Sequence, residues 1–129
     1  MTFKLSQKSK DRLTGVHSDL VAVVERAIEI TEIDFAVNEG VRSLARQEQL
    51  FAAGASKTMK SRHLTGHAVD LVALIDGQVH WDWPLYHKIA DAMKAASAEL
   101  EIPIECGADW KSFPDGPHFQ LPWKEYPVS

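Results

Sequence analysis

The stretch SRHLTGHAVDL, Ser61 to Leu71, places two histidines, a glycine and an aspartate just ahead of an apolar run, LVALI. A carboxylate at the mouth of a buried strand is costly unless something positive meets it. A metal ion is one such partner. A catalytic zinc takes three nitrogen, oxygen or sulfur ligands and keeps one position open. His63, Asp70 and His118, the last in DGPHF, could supply that set. Two other readings compete. Asp70 could cap a turn with the histidines on the surface, or His63 and His67 could form an i, i+4 pair on a helix, as in HExxH sites. No glutamate follows His63, and Gly66 lies inside the span, which disfavours the helical pair.

The elements that must position these residues follow from periodicity. Ser18 to Thr31 reads as a helix capped by Ser18, with Leu20, Val24, Ala27 and Ile28 on one face. Asp34 to Val41 alternates as a strand. Ser43 to Ala53 returns to helical spacing and stops at Gly54. Ala55 to Thr65 reads as a loop. Val69 to Ile75 is a strand, turned at Asp76-Gly77 onto a hairpin partner, Gln78 to Trp81. Leu85 to Leu100 is a helix with Pro84 in its first turn and a stripe of Ile89, Met93, Ala96 and Leu100. Ile102 to Glu105 and His118 to Leu121 are short apolar pieces of strand type. Helices and hairpin-like strands interleave without regular βαβ spacing. The expected fold is α+β: one domain, a small and mostly antiparallel sheet flanked by helices, with the metal site on the sheet.

The totals agree with one domain over residues 1–129. Hydrophobic residues make up 45%, enough for a core, and the charged content of 25% is that of a globular chain. A formal net charge of −4 argues against nucleic-acid binding through phosphates. The basic cluster Lys57 to Arg62 reads as a solvated loop. The single cysteine, Cys106, excludes an intrachain disulfide and a cysteine-rich zinc finger. No stretch has the length of a membrane span or the apolar core of a signal peptide, so no stable membrane association is expected. His17, His80 and His87 are expected at the surface.

SRHLTGHAVD fits the pattern S-x-H-x-x-G-x-A-x-D, with Ser61, His63, Gly66, Ala68 and Asp70 in place. DGPHF adds an acid-x-x-His pair, Asp115 and His118, and GVRS places Arg42 after a strand, with Gln47, Leu50 and Gly54 following in register. Over Asp34 to Leu121 the chain resembles the zinc peptidases of the D-alanyl-D-alanine carboxypeptidase and VanY/VanX type, most of all the L-alanyl-D-glutamate peptidases used as phage endolysins. The resemblance implies that His63, Asp70 and His118 bind Zn2+. It implies that Asp115 is the general base and that Arg42 holds the substrate carbonyl and the oxyanion, although the residue types alone also allow Arg42 a surface ion pair with Glu39 or Glu48. Ser61 would support the site or contact substrate, and His67 falls at a variable position outside the metal shell. Many relatives carry glutamate where this chain has Asp115, so the shorter acid must lie closer to the metal or use a slightly different water position. Zinc chemistry suits an amide, because the ion lowers the pKa of water from ~15.7 to about 7.

The implied substrate is the peptidoglycan stem peptide, cut at L-alanyl-D-glutamate with lysis of a bacterial host. Trp81, Trp83, Trp110 and Trp123 could line a groove or fill the core; Trp110, near Asp115, is expected to border the site and contact substrate. The resemblance also implies a monomer without a separate wall-binding domain. It would be made in the host cytoplasm and reach the wall after a holin opens the membrane. The nearest alternative is a D-alanyl-D-alanine carboxypeptidase or dipeptidase of the same family. Further alternatives are a cysteine amidase using Cys106 and a zinc-stabilised binding module that has lost its base.

Overall fold

The computed structural model describes residues 3–54, 61–111 and 114–127. The part of the loop at 55–60, and with it most of the basic cluster, lies outside the described residues. Among the described residues four helices, α1 (Gln7–Arg12), α2 (Ser18–Ile30), α3 (Leu44–Ala52) and α4 (Trp83–Leu100), accompany five strands. The strands are β1 (Asp34–Glu39), β2 (Ala68–Ile75), β3 (Gln78–His80), β4 (Glu105–Cys106) and β5 (His118–Gln120). All pairings are antiparallel, in the order β1-β2-β5-β4, with β3 also on β2. The α+β expectation therefore holds, and β2 is the central strand.

Alternation along β2 divides the molecule. Val69, Leu71 and Ala73 join the main core with Leu20, Val24 and Ala27 of α2 and Ile89, Met93 and Ala96 of α4. Asp70 points to the opposite face. The same period on β5 sends Phe119 into the core and His118 and Gln120 to the Asp70 side. Helices α2 and α4 thus cover one face of the sheet, and Asp70 and His118 lie on the other.

Some element boundaries move for physical reasons. His17, not Ser18, caps α2: its Nδ1 accepts from the Asp19 N–H at 3.1 Å, and its ring packs 5.2 Å from Tyr126. His17 is accordingly half-buried rather than a surface residue, as is His80, while His87 is exposed as expected. Arg62 is the sharpest departure. Read as part of a solvated cluster, it is only 2% exposed. Its guanidinium donates to the carbonyls of Leu121 at 2.9 Å and Tyr126 at 2.8 Å and lies 4.2 Å from the Trp123 ring. These contacts tie the chain's last turns to the segment that carries His63.

Candidate active site

Three local devices bring the site together. Residues Arg62 to Thr65 form a 3-10 turn that presents His63. Ser61 caps it, its Oγ accepting from the His63 N–H at 3.2 Å. Gly66 ends it at φ 77°, where an added Cβ would lie 2.5 Å from the Gly15 carbonyl, so only glycine fits this exit. Second, β2 and β5 set Asp70 directly opposite His118, the cross-strand position where side chains meet. Third, a register shift between Val37 and Glu39 in β1 brings Glu39 opposite Asp70; such bulges re-aim side chains beside sites.

The three expected ligands converge. One donor atom from each of His63, Asp70 and His118 lies within 4.8 Å of the others. Asp70 Oδ1 is 3.2 Å from His63 Nε2 and 3.4 Å from His118 Nδ1. Burial would push the Asp70 carboxyl up, but hydrogen bonds from His118 and His63, with their charge, hold it well below the usual carboxylate range. The same pairing raises His118 against the effect of its own burial.

The partners of the outer nitrogens show which ring atoms face the common point. His63 Nδ1 lies 2.9 Å from the Gly40 carbonyl, which can only accept, so this nitrogen carries the proton and Nε2 faces Asp70. His118 Nε2 lies 2.8 Å from Gln120 Oε1. The Gln120 amide donates to Glu105 Oε2 at 3.2 Å, which fixes its oxygen toward His118. His118 therefore turns Nδ1 inward. Outer N–H bonds of this kind orient the imidazoles of metal sites. Once a metal displaces the protons that His63 and His118 share with Asp70, two imidazoles and one carboxylate aimed at a common point fit a divalent ion of zinc type.

Gln120 and Glu105 were not legible as site residues. Gln120 had a signal, since it lies two residues from His118 on one strand and so shares its face. Glu105 had none, because its role rests on the β4–β5 register. Replacing Gln120 with leucine should weaken zinc binding by roughly 10- to 100-fold, measured by competition with a chelator; unchanged affinity would remove Gln120 from the assembly.

The remaining expected residues are placed as follows. Asp115 is half-buried, and its backbone N–H donates to the Gly107 carbonyl at 2.9 Å. Burial and then the Asp70 charge raise its carboxyl, against His118, His63 and Arg42. Gly107 makes room for it: an added Cβ would stand 2.3 Å from the Asp115 carbonyl oxygen. Trp110 borders the site, its ring 5.0 Å from that of His118. Arg42 lies 3.8 Å from Asp70 Oδ2. Three of its five N–H bonds go to Glu39 and Gln47, so it is held from behind by an ion pair with Glu39. His67 stays outside the trio, with Nδ1 2.7 Å from Thr65 Oγ1.

Cys106 is 4% exposed, and burial pushes its thiol up to about 11, whereas a nucleophilic cysteine needs its thiolate near neutral pH. Cys106→Ser should leave the hydrolytic rate within about twofold while costing about 1–3 kcal/mol of stability for the buried hydroxyl. A rate loss without unfolding would restore the cysteine mechanism.

A histidine–aspartate–histidine donor set on an open antiparallel sheet, with a further carboxylate beside it, could hold a divalent ion of the kind that metallohydrolases use. The family model for phage L-alanyl-D-glutamate peptidase matches residues 1–121, and the chain belongs to that family. It is 34% identical over 119 residues to the L-alanyl-D-glutamate peptidase of Escherichia phage T5, covering 89% of this chain and 87% of that protein. It is 28% identical over 102 residues to the peptidoglycan L-alanyl-D-glutamate endopeptidase CwlK of Bacillus subtilis, covering 69% of this chain and 61% of CwlK. Its fold matches the crystal structure of the Serratia marcescens L-Ala D-Glu endopeptidase ChiX with a TM-score of 0.93 and 47% identity, covering 98% of this chain and 95% of that one.

Proposed function

We propose that this chain is a zinc-dependent peptidoglycan endopeptidase that cuts the L-alanyl-D-glutamate bond of stem peptides as an endolysin. The carrying observation is the convergence of His63, Asp70 and His118 beside Asp115 in a member of this family. A zinc ion held by the trio would supply Lewis-acid polarisation of water or of the scissile carbonyl. Asp115 takes the proton from the attacking water and returns it to the leaving amine, a role suited to a carboxylate whose affinity for protons is raised by its surroundings. Arg42 has two N–H bonds left beyond those given to Glu39 and Gln47, and these meet the carbonyl oxygen as charge develops on it. Ser61 supports the site through the His63 backbone, and Trp110 limits one side and contacts substrate.

The proposal extends to the whole chain: residues 1–129 form one catalytic domain acting as a monomer. It is made in the host cytoplasm and reaches the wall once a holin has permeabilised the membrane. Among the described residues no helix is long and apolar enough to cross a membrane. The test is digestion of purified peptidoglycan by zinc-loaded protein, with metal content measured alongside and fragments weighed by mass spectrometry. New N-terminal D-glutamate supports the assignment. Release of D-alanine alone would move the activity to the carboxypeptidase branch.

A further inference from the structure

Beside Asp115 opens a cleft of about 290 Å³, near the low end of the roughly 300–1,000 Å³ typical of small-molecule sites. Trp81, Trp83 and Tyr86 form one wall, and the segment 114–117, with Asp115, forms the other. The aromatic wall is unusual in being both wet and fixed. Trp81 is 62% exposed and Trp83 46% exposed. Yet the Trp81 ring lies on that of Tyr86, 6.0 Å between centroids and within 10° of parallel. The Tyr86 hydroxyl in turn donates to the His80 carbonyl at 2.7 Å and accepts from the Ala73 N–H at 3.3 Å. The wall is thereby anchored to the central strand.

We propose that this cleft is a sugar subsite, which takes the muramyl residue bearing the stem peptide. The inference rests on the peptidase reading above and adds to it the direction in which substrate lies. The two flanks of an L-alanyl-D-glutamate bond differ in charge. On the D-glutamate side the stem carries free carboxylates. On the L-alanine side the nitrogen is already acylated by the lactyl group of the sugar, so that flank is uncharged. Among the described residues its lining holds no lysine or arginine, and Asp115 is the one acid, so it repels the carboxylate flank and accepts the neutral one. Flat exposed indoles suit the C–H face of a pyranose, which offers apolar area without charge. The volume accommodates one ring. Since Asp115 lines this cleft and its backbone carbonyl accepts from the N–H of His118 at 3.1 Å, a sugar seated there leaves its L-alanine next to the proposed reacting centre.

The test compares two substrates that differ only at the alanine nitrogen: one stem peptide capped with acetyl, the other with N-acetylmuramyl. Zinc-loaded wild-type protein should show kcat/KM for the muramyl substrate higher by roughly tenfold, equivalent to about 1.4 kcal/mol, with the difference mostly in KM. In Trp81→Ala and Trp83→Ala the ratio of the two substrates should fall toward unity. Equal rates in the wild type, or equal losses on both substrates in the variants, would overturn the subsite while leaving the peptidase reading in place. Failure of wild-type protein to cut either substrate would overturn the peptidase reading and the subsite with it. A second measurement needs no variant. N-acetylmuramyl-L-alanine, which lacks the scissile bond, should quench the tryptophan fluorescence of the wild type in a saturable way, and free L-alanine should not. Absence of quenching would reject the proposal.

Discussion

Asp70→Asn should empty the site of zinc and lower peptidoglycan hydrolysis on the order of 1,000-fold or more, because the proposed reaction would lose the ion that activates its water. Asparagine keeps the shape of the side chain and removes its charge. The trio then offers two neutral imidazoles and an amide to a divalent cation, with no formal negative charge among them. A structural role would give a different pattern. Asp70 is the common partner of His63 and His118, at 3.2 and 3.4 Å. Losing one partner of a buried pair costs about 3–5 kcal/mol, so the variant should also melt lower in the presence of chelator. If Asp70 served only as that ion-pair partner, the melting temperature would fall while zinc content and rate survived. Measuring zinc per chain, the initial rate and the melting temperature on one preparation separates the two. Retention of one zinc per chain at wild-type rate would withdraw Asp70 from the metal centre. Chelation of the wild type should reach the same low rate and be reversed by added zinc.

The centre was legible because its pieces are local or repeat with a short period. His63, Gly66 and Asp70 fall within eight residues, and the polar positions of β2 and β5 stand out against apolar alternation. The tight turn at Asp76-Gly77 likewise announced the β2–β3 hairpin. What stayed hidden depends on contacts made at a distance. Arg62 looks like any basic loop residue until the carbonyls of Leu121 and Tyr126 close around it. Glu105 gains meaning only from its register with Gln120. Arg42 stood in a readable motif, and an ion pair with Glu39 was readable three residues upstream, whereas the added grip of Gln47 depends on where α3 packs. The tryptophans resisted for a different reason. Composition treats a large aromatic as a core candidate, whereas Trp81, Trp83 and Trp123 remain roughly half-exposed or more because each is propped at the edge of the fold. Short α1 lacked the length for a periodic signal.

Asp115→Asn should separate binding from chemistry. The carboxyl makes no side-chain hydrogen bond among the described residues, and its neighbours raise its affinity for protons, burial first and the Asp70 charge next. Removing its charge therefore breaks no structural contact and relieves a repulsion inside the site. The variant should fold, melt at or slightly above the wild-type temperature, and keep its zinc. Its kcat should fall by about 100- to 10,000-fold, the usual worth of a positioned general base, with KM little changed. Asp115→Glu tests the geometry. The longer side chain brings back the base but moves its oxygens by about one methylene from a loop held close by Gly107, so partial recovery above the Asn variant is expected. A rate near wild type in Asp115→Asn would show that another group moves the proton. A loss of zinc in the same variant would instead make Asp115 part of the metal shell. The expected combination, metal kept and turnover lost, assigns the carboxylate to proton transfer, since a residue that merely shaped the cleft would alter KM first.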